Sequence, residues 1–335
     1  MAKISDIAKR TGYSNATVSK ALNGSPEIPE STVATVKKVA RELGYVPSSF
    51  ARTLKMRRSF NLGVLFVDQT NAGLRHEYFS SILEAAKVEA EKRGYDLTFM
   101  SHTNYGGLKM SYLQHAKSRG MDGILIVSAN FLDPAVEELA QSGLPVVTID
   151  YVYNGCTAIM SDNENGMNSL FEAAYALGHR KIAFIHGEET DVTKRRIAGF
   201  LQAAKAHGLS LPSAYLGEAY YHRPETVMAA LEPILRLPDP PTCVFFPDDI
   251  SAITFLARQT QEAERIHPLS FAGYDGIDLT KMIHPMLSTY VQNSEEIGTI
   301  AIDKLINRIE EPRLFVPEVV KVKGHLQSGD TIQKR

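Results

Sequence analysis

Apolar and polar positions alternate with a helical period through residues 1–46 of the chain. Gly12 separates a first short helix from a second one, and Ser14 is placed to cap that second helix. Residues 23–29 then form a loop, and a third helix begins near Pro29 and ends at Gly44. The apolar positions of the inner faces are Ile4, Ile7, Ala8, Val18, Ala21, Leu22, Val33, Val36, Val39, Ala40 and Leu43. Three short helices with a tight glycine turn between the first two predict a helix-turn-helix domain.

A basic linker follows at residues 45–59, with the sequence YVPSSFARTLKMRRS. Pro47 separates it from the third helix. From Ser49 to about Met56 the pattern is that of a short helix with one prominent apolar side chain, Leu54. Because a helix of this length is not stable alone, we expect it to become ordered only when another surface holds it.

From Asn61 onward, strand-length apolar runs alternate with amphipathic helical patterns. The first runs are NLGVLFV, YDLTFMS, DGILIVSA and LPVVTID, and the later ones are TAIMSD, RKIAFIHG, TCVFFPD and LSFAGYD. This alternation predicts an α/β body with two parallel sheets, one before and one after about residue 160. Ligands of open parallel sheets bind beyond the carboxyl ends of the strands. Since Asp150, Asp248, Asp249 and Asp275 lie at such ends, we expect a polar cleft between two lobes.

The charge of the chain is divided between its two parts. Residues 1–58 carry 11 Lys and Arg against 4 Asp and Glu, whereas the remainder carries 25 basic and 34 acidic residues. A basic head on an acidic body predicts a polyanionic partner for the head alone. Cys156 and Cys243 lie far apart among apolar residues, which favours reduced, buried thiols in a cytoplasmic protein. We expect no zinc site, secretory signal or membrane span.

Motifs along the whole chain resemble the LacI/GalR family of bacterial transcription regulators. They include KISDIAKRTGYSNATVSKALNG, LGYVPSSFARTLKMRRS, GMDGILIV, ALGHRKIAFIHG, CVFFPDDISAITFL and LSFAGYDGIDLTKMIHPMLSTYVQNSEEIG. The resemblance implies a DNA-binding domain at 1–46, a hinge helix at 47–58, and an effector-binding and dimerisation domain at 59–335. It places the first lobe at about 60–160 and 291–322, and the second at about 161–290 and 323–335.

The same resemblance implies a function, which is repression of a carbohydrate-utilisation operon in the bacterial cytoplasm. Such a regulator binds a palindromic operator as a homodimer and is controlled by a small sugar-like effector, without a cofactor or metal. The sequence leaves open whether the effector lowers or raises operator affinity.

In the head, the second helix of a helix-turn-helix presents its N-terminal residues to base edges in the major groove. The resemblance places base reading at Asn15, Ala16 and Lys20, whose side chains suit adenine, a thymine methyl group and guanine. Phosphate contacts are expected from Ser14, Thr17, Ser19 and Asn23. In the hinge, the family places Leu54 as a wedge in the minor groove, with Arg52, Lys55 and Arg57 at the phosphates.

In the body, the resemblance assigns effector-binding side chains to both lobes. The first-lobe candidates are His76, Tyr78, Phe79, Ser128 and Asp150. The second-lobe candidates are Arg196, Asp248, Asp275 and Gln292, with Tyr221 or its neighbour Tyr220 as a stacking face. Carboxylates, an Arg fork and an aromatic ring suit a hydroxylated sugar ring. Many relatives carry Asn where Asp248 stands, and the loop NAGLRHEYF departs from the family's usual Asn-Pro-aromatic-aromatic pattern, so both features bear on effector identity.

Two other classes of protein are disfavoured by the sequence. HEYFS begins like a zinc-protease motif but lacks the second His, and no GxSxG, P-loop or GxGxxG occurs, so an enzyme is not expected. A secreted sugar-binding protein would share the body but not the basic head. Among regulators, a purine-type or phosphosugar effector stays open, and Arg75 and Arg195 are the candidates for holding a phosphate.

Overall fold

The computed structural model of the chain describes residues 2–46, 58–68, 72–101, 104–105, 108–261 and 269–335. Its contacts divide the chain into two units, the head at Met1–Ser59 and the body at Phe60–Arg335. Most of the predicted hinge helix, including Arg52, Leu54, Lys55 and Arg57, lies outside the described residues.

The head has the three predicted helices, at Ile4–Thr11, Asn15–Leu22 and Glu30–Glu42. The turn forms because Gly12 adopts a φ of 76°, a left-handed conformation that glycine accepts readily. Ser14 caps the second helix, since its side chain accepts a hydrogen bond of 3.1 Å from the backbone N–H of Thr17. The core of the head consists of Ile7, Val18, Ala21, Val36 and Ala40. The apolar period of the sequence therefore located both the helices and their common core.

The first lobe of the body is built on a sheet of six parallel strands. In spatial order they are Val319–Val322, Thr157–Ser161, Val146–Ile149, Gly123–Ser128, Asn61–Phe66 and Asp96–Met100. Its helices are Glu77–Lys92, Tyr112–Ser118, Pro134–Ala140 and Ser294–Glu310. The first and last of these pack on each other over one face of the sheet, and the other two cover the opposite face. A small antiparallel hairpin pairs Asn104–Tyr105 with Leu108–Lys109.

The second lobe repeats this architecture with a second six-stranded sheet. In spatial order its strands are His325–Gln327, Thr289–Val291, Ser270–Asp275, Cys243–Phe245, Ile182–His186 and Leu216–Glu218. Only the pairing of His325–Gln327 with its neighbour is antiparallel within this sheet of described residues. The helices of this lobe are Asn163–Ala176, Asp191–Ala206, Pro224–Leu235, Asp249–Gln261 and the short Leu279–Met282. A 3₁₀ turn lies at Ser213–Tyr215 in this lobe, and another lies at Gly73–Arg75 in the first lobe. Both faces of this sheet are covered by apolar clusters.

The predicted fold class is the observed one, with short strands added at or next to the sheet edges. Leu216–Glu218, Thr289–Val291, Val319–Val322 and His325–Gln327 were not predicted as strands. These segments are three or four residues long, and pairing with an adjacent strand fixes them more than their own apolar pattern does. Both cysteines are buried free thiols. Among the described residues, no helix combines the length and apolar character needed to cross a membrane.

Candidate effector cavity and DNA-contacting helix

The second head helix, Asn15–Leu22, has one buried and one accessible side. Val18 and Ala21 are fully buried against the other two helices. Asn15, Ala16 and Lys20, the predicted base-reading residues, are all exposed on the accessible side. The packing of the head therefore leaves these three side chains available together.

The polar residues predicted to contact phosphates also organise the ends of this helix. The hydroxyl groups of Ser14 and Thr17 lie 2.9 Å apart at its N-terminus. At its C-terminus, the Asn23 side-chain amide donates to the backbone carbonyl of Ser19 at 2.6 Å. Their local role is therefore to cap the helix and to hold its ends in place.

Lys20 is paired within the head. Its ammonium group lies 2.5 Å from a carboxylate oxygen of Glu27, and both side chains are more than half exposed. The hydrogen bond and charge of Lys20 lower the pKa of Glu27. Sequence reasoning missed Glu27, because only the fold of the loop brings it to a residue seven positions away. A guanine contact by Lys20 would compete with this carboxylate.

A cavity of about 200 Å³ lies between the two lobes of the body. Its lining includes the predicted first-lobe residues His76, Tyr78, Phe79, Ser128 and Asp150. From the second lobe it includes Arg196, Tyr221, Asp275 and Gln292. Many of these residues lie at or just after the carboxyl ends of strands, where a ligand of parallel sheets is expected.

Asp150 is held at its strand end by neighbours from the first lobe. The backbone N–H of Ser161 donates to one carboxylate oxygen at 2.8 Å, and the Tyr78 hydroxyl donates to the other at 3.2 Å. Burial raises the pKa of Tyr78 well above its usual value, so this phenol stays protonated and can donate. Burial also raises the pKa of Asp150. The carboxylate is thus fixed in position before any ligand arrives.

Arg196 is the centre of a network in the second lobe. Its Nε donates to Asn163 at 2.8 Å and one terminal nitrogen donates to the backbone carbonyl of Pro247 at 2.9 Å. The other terminal nitrogen lies 3.8 Å from Asp275. The guanidinium carbon stands 3.6 Å from the centre of the Tyr274 ring. Arg196 is only 4% exposed, so the second lobe fixes this side chain on several sides.

Asp275 and Gln292 form the adjoining part of the wall. The Gln292 amide donates to Asp275 at 2.6 Å, and its own side-chain oxygen is buried with no hydrogen-bond partner in the described part of the chain. Burial raises the pKa of Asp275 to about 6, although the nearby charge of Arg196 lowers it. This part of the wall therefore presents hydrogen-bond acceptors to the cavity.

Backbone strain is concentrated around the same cavity. The described residues other than glycine with positive φ are Phe60, Asp150, His222 and Asp275. Three of these four line the cavity. Such conformations each cost about 1–3 kcal/mol and persist where function requires a particular side-chain direction. The strain is an independent indication that this cavity is a working site.

Two histidines meet across the cleft. The rings of His76 in the first lobe and His222 in the second have centroids 3.9 Å apart, and His76 also packs on Phe79. Burial, reinforced by the proximity of His222, lowers the pKa of His76 to about 4. A second contact also connects the two lobes, since the Glu77 carboxylate of the first lobe accepts a hydrogen bond from the backbone N–H of Asp278 in the second at 2.5 Å. Neutral His76 is thus part of the contact between the lobes.

The structure corrects the interpretation of Asp248. This residue is fully buried behind the cavity wall and is not part of the lining. One carboxylate oxygen accepts from the backbone N–H of Ser251 at 2.8 Å and the other accepts from that of His222 at 2.9 Å. Because a buried charge must be satisfied by hydrogen bonds, Asp248 supports the strained His222 rather than facing an effector. The Asp248 carboxylate therefore acts on the wall of the cavity and not directly on a ligand.

Three other candidates also lie away from the lining. Tyr220 is 54% exposed, so Tyr221 is the tyrosine that faces the cavity. Arg75 is exposed and donates to the backbone carbonyl of Ala72. Arg195 faces Glu164 at 3.5 Å. The two arginines considered for a phosphate are therefore not in the described cavity wall.

The cavity contains functional candidates that sequence reasoning missed. They are the carboxylates Asp68, Glu188 and Asp191, the ring of His222, and the parallel stack of Phe131 on Tyr151, whose centroids are 4.5 Å apart. Asp68, Glu188 and Tyr151 each lie two residues past the end of a strand, so the rule that found Asp150 could have found them too. The stacking of Phe131 on Tyr151 had no comparable signal, because the two rings come from different loops.

Two family profiles match the chain. The profile of the bacterial regulatory proteins, lacI family, matches residues 3–48, and that of the periplasmic binding protein-like domain matches residues 171–332. The first covers the head helices, and the second covers most of the second lobe with parts of the first.

Full-length relatives agree with these profiles. The probable HTH-type transcriptional repressor ExuR of Bacillus subtilis (strain 168) is 30% identical over 330 residues, which is 96% of both chains. The HTH-type transcriptional repressor PurR of Pectobacterium atrosepticum is 30% identical over 325 residues, covering 93% of this chain and 92% of PurR.

Solved structures share the fold of the whole chain. The lac repressor dimer bound to operator and the anti-inducer ONPF has a TM-score of 0.78 at 20% identity, over 99% of both chains. The regulator CelR in complex with cellobiose has a TM-score of 0.69 at 23% identity, over 99% of this chain and 100% of CelR. With its helix-turn-helix head and two-lobed body, the chain belongs to the lacI family of bacterial regulatory proteins and is a DNA-binding transcriptional regulator, not an enzyme.

Proposed function

We propose that this regulator represses genes of carbohydrate use, binds a palindromic operator as a homodimer, and responds to a sugar-like effector in the cavity between its lobes. The observation that carries the proposal is the presence, in one chain, of an accessible helix-turn-helix face and a strained polar cavity. The division into a head at 1–46, a hinge helix at 47–58 and a body at 59–335 belongs to the same proposal. So does location in the bacterial cytoplasm.

The head supplies the sequence preference in this proposal. Asn15, Ala16 and Lys20 read base edges in the major groove, because they share the exposed side of one helix. Ser14, Thr17, Ser19 and Asn23 contact phosphates and fix the register. Arg52, Leu54 and Lys55 of the hinge enter or flank the minor groove. Two copies of the head, related by the dimer axis, then require two half-sites of opposite orientation.

The cavity supplies the response to a small molecule. Fixed carboxylates, the Arg196 network, and the aromatic faces of Phe79 and Tyr221 suit a ring with many hydroxyl groups. Solved lacI-family structures support this ligand class, since CelR contains cellobiose and a regulator from Enterococcus faecium contains ribose. The latter is 22% identical and covers 82% of this chain with a TM-score of 0.69.

Coupling between cavity and head follows from the position of the ligand between two lobes. A ligand that contacts both lobes stabilises one lobe arrangement over others, and the operator selects among the same arrangements through the dimer. By linkage, operator and effector change each other's affinity by the same factor.

The experiment that tests the proposal is selection of operator sequences by the full-length protein from a random duplex pool. We expect an enriched palindrome whose binding weakens steeply with salt, since the head must displace phosphate counterions. A matched selection with Asn15→Ala should change the enriched half-site. Enrichment of no sequence over the starting pool would contradict the proposal. Measuring affinity for the selected duplex with and without sugars then gives the sign of the response.

A further inference from the structure

We propose that the effector of this cavity is an amino sugar, a hydroxylated ring that carries a protonated amine and no anionic group. The inference rests on the proposed function, because it concerns the ligand of the same cavity. It specifies the charge of the ligand, which neither membership of the family nor the sugars bound in similar solved structures determine.

The first observation is the charge of the described cavity lining. Five acidic residues line the cavity, Asp68, Asp150, Glu188, Asp191 and Asp275, and the carboxylates of Asp150, Glu188 and Asp275 also accept hydrogen bonds from the wall. They come from both lobes and from at least four different loops or strand ends. Arg196 is the one Lys or Arg among the described lining residues. The negative charge of the wall would repel an anionic ligand, whereas it would attract a cationic one.

The second observation is that Arg196 is already engaged. Two of its nitrogens donate to Asn163 and to the carbonyl of Pro247, and the third faces Asp275. A carboxylate or phosphate of a ligand would have to compete with these partners for the guanidinium group. The guanidinium group of Arg196 therefore stabilises the cavity wall and is not free to bind an anionic group of a ligand.

The third observation is the presence of unpartnered polar atoms in the wall. The Gln292 side-chain oxygen and His76 Nδ1 are buried and have no hydrogen-bond partner among the described residues, and both residues are only 5% exposed. Because the Gln292 amide donates to Asp275, its free oxygen can only accept. Burial keeps His76 neutral at physiological pH, since its pKa lies at about 4, so it does not supply a positive charge for an anion. The free Gln292 oxygen therefore favours a hydrogen-bond donor on the ligand, which a hydroxyl or ammonium group provides.

The spacing of the acidic groups favours an organic cation over a metal ion. No group of three His, Cys, Asp or Glu side chains in the described part of the chain is close enough to hold a metal. The carboxylates are instead distributed around a cavity that also presents Phe79, Tyr221 and the stacked pair of Phe131 and Tyr151. Aromatic faces bind both the C–H side of a sugar ring and an ammonium group.

The test uses the full-length protein and sugars of one ring framework whose substituents differ in charge. Binding at neutral pH is measured by isothermal titration for glucosamine, glucose and glucuronate, for the corresponding galactose and mannose sets, and for glucose 6-phosphate. We expect the amine member of one set to bind at least about tenfold more tightly than its neutral counterpart. The uronate of that set and the phosphosugar should not bind.

A variant pair makes the test specific to cavity charge. Glu188→Gln removes one lining charge while keeping an oxygen that can accept from the backbone N–H of Tyr221, so it should weaken binding of the amine about tenfold and binding of the neutral sugar by a smaller factor. Glu189→Gln is the matched control, because Glu189 is the next residue in the chain but pairs with Lys194 at 3.1 Å outside the cavity. This control should bind both sugars as the unmodified protein does.

The outcomes separate this inference from the proposed function. Tightest binding by a uronate or phosphosugar, equal affinity for amine and neutral forms, or no binding by any sugar in the panel overturns the amino-sugar proposal. If a neutral or anionic sugar binds and changes operator affinity, the proposed function stands and only the charge inference fails. If the protein selects no operator, the proposed function fails whatever the sugars do.

Discussion

The exposed side of the second head helix and the cavity of the body differ in how firmly they hold their candidate functional side chains. Asn15, Ala16 and Lys20 are exposed on one helix, and Lys20 is paired with the exposed side chain of Glu27. In the cavity, Arg196 and Asp275 are almost fully buried and bound to several neighbours. The head presents side chains that exchange partners at little cost, whereas the cavity presents side chains that are fixed before binding.

This difference separates the consequences of mutation in the two regions. Changing Asn15, Ala16 or Lys20 is expected to alter which DNA is bound and to leave the fold of the head intact, because these side chains are exposed. Changing a cavity residue alters both binding and folding, because the same contacts serve both. Four substitutions test this contrast.

Arg196→Ala is expected to have the largest effect. It leaves Asn163 and the buried Asp275 without their cationic partner, so the free energy of unfolding of the body should fall by about 3–5 kcal/mol. Denaturant unfolding measures this change. Arg195→Ala is the control, because that side chain is about one-third exposed and its loss should change stability by less than about 0.5 kcal/mol. An equal loss of unfolding free energy in the two variants would contradict the idea that the buried, hydrogen-bonded Arg196 stabilises the body more than the partly exposed Arg195.

His76→Gln should change the pH dependence of stability. The pKa of His76 is about 4 in the folded body and near 6.5 in the unfolded chain, so unfolding takes up a proton between these values. The contribution of neutral His76 to the free energy of unfolding is fully present above pH 6.5. It is lost as the pH falls from 6.5 through 4, by a total on the order of 3 kcal/mol.

Thermal unfolding of His76→Gln and of the unmodified protein at several pH values measures that decline. Asp275 acts in the opposite direction, because burial raises its pKa to about 6 and its stabilising contribution is lost as the pH rises through that value. Asp275 is common to both proteins, so the difference between their curves isolates His76. Parallel curves would show that His76 titrates normally in the folded body.

Lys20→Ala should change base preference without changing stability. Loss of a base contact typically reduces discrimination at one position by about 1–3 kcal/mol. Competitive binding of operators with single base changes measures this loss, and a melting curve of the variant checks the fold. A specificity profile identical to that of the unmodified protein would remove Lys20 from the base-reading residues.

Glu27→Gln should have the smallest effect. It frees Lys20 from a competing carboxylate and removes one negative charge beside the DNA, so operator affinity should rise about threefold. Filter binding at two salt concentrations measures the change. Glu30→Gln is a control that also removes one acidic charge from the head but has no described bond to Lys20. An equal gain for both variants would assign the effect to overall charge instead of the pair.

The predictability of each region followed the range of its contacts. The head could be predicted almost completely, since Gly12, Ser14 and the apolar period are signals within a few residues of the structure that they specify. Asp150 and Asp275 could be placed near a ligand because they end strands. Asp248 satisfies the same rule, yet its carboxylate turns into the wall, and only the position of the His222 backbone determines that.

The sequence by itself determined the regulator class, the two-lobed α/β body, the helices of the head and nine of the twenty described residues that line the cavity. Those properties depend on local periodicity and on motifs that lie within short segments. The tertiary structure decided that Glu27 holds Lys20, that Asp248 supports the wall, and that five acidic residues line one cavity with a single, engaged arginine in its described lining. Those properties depend on distances between residues far apart in the chain, which folding alone brings together.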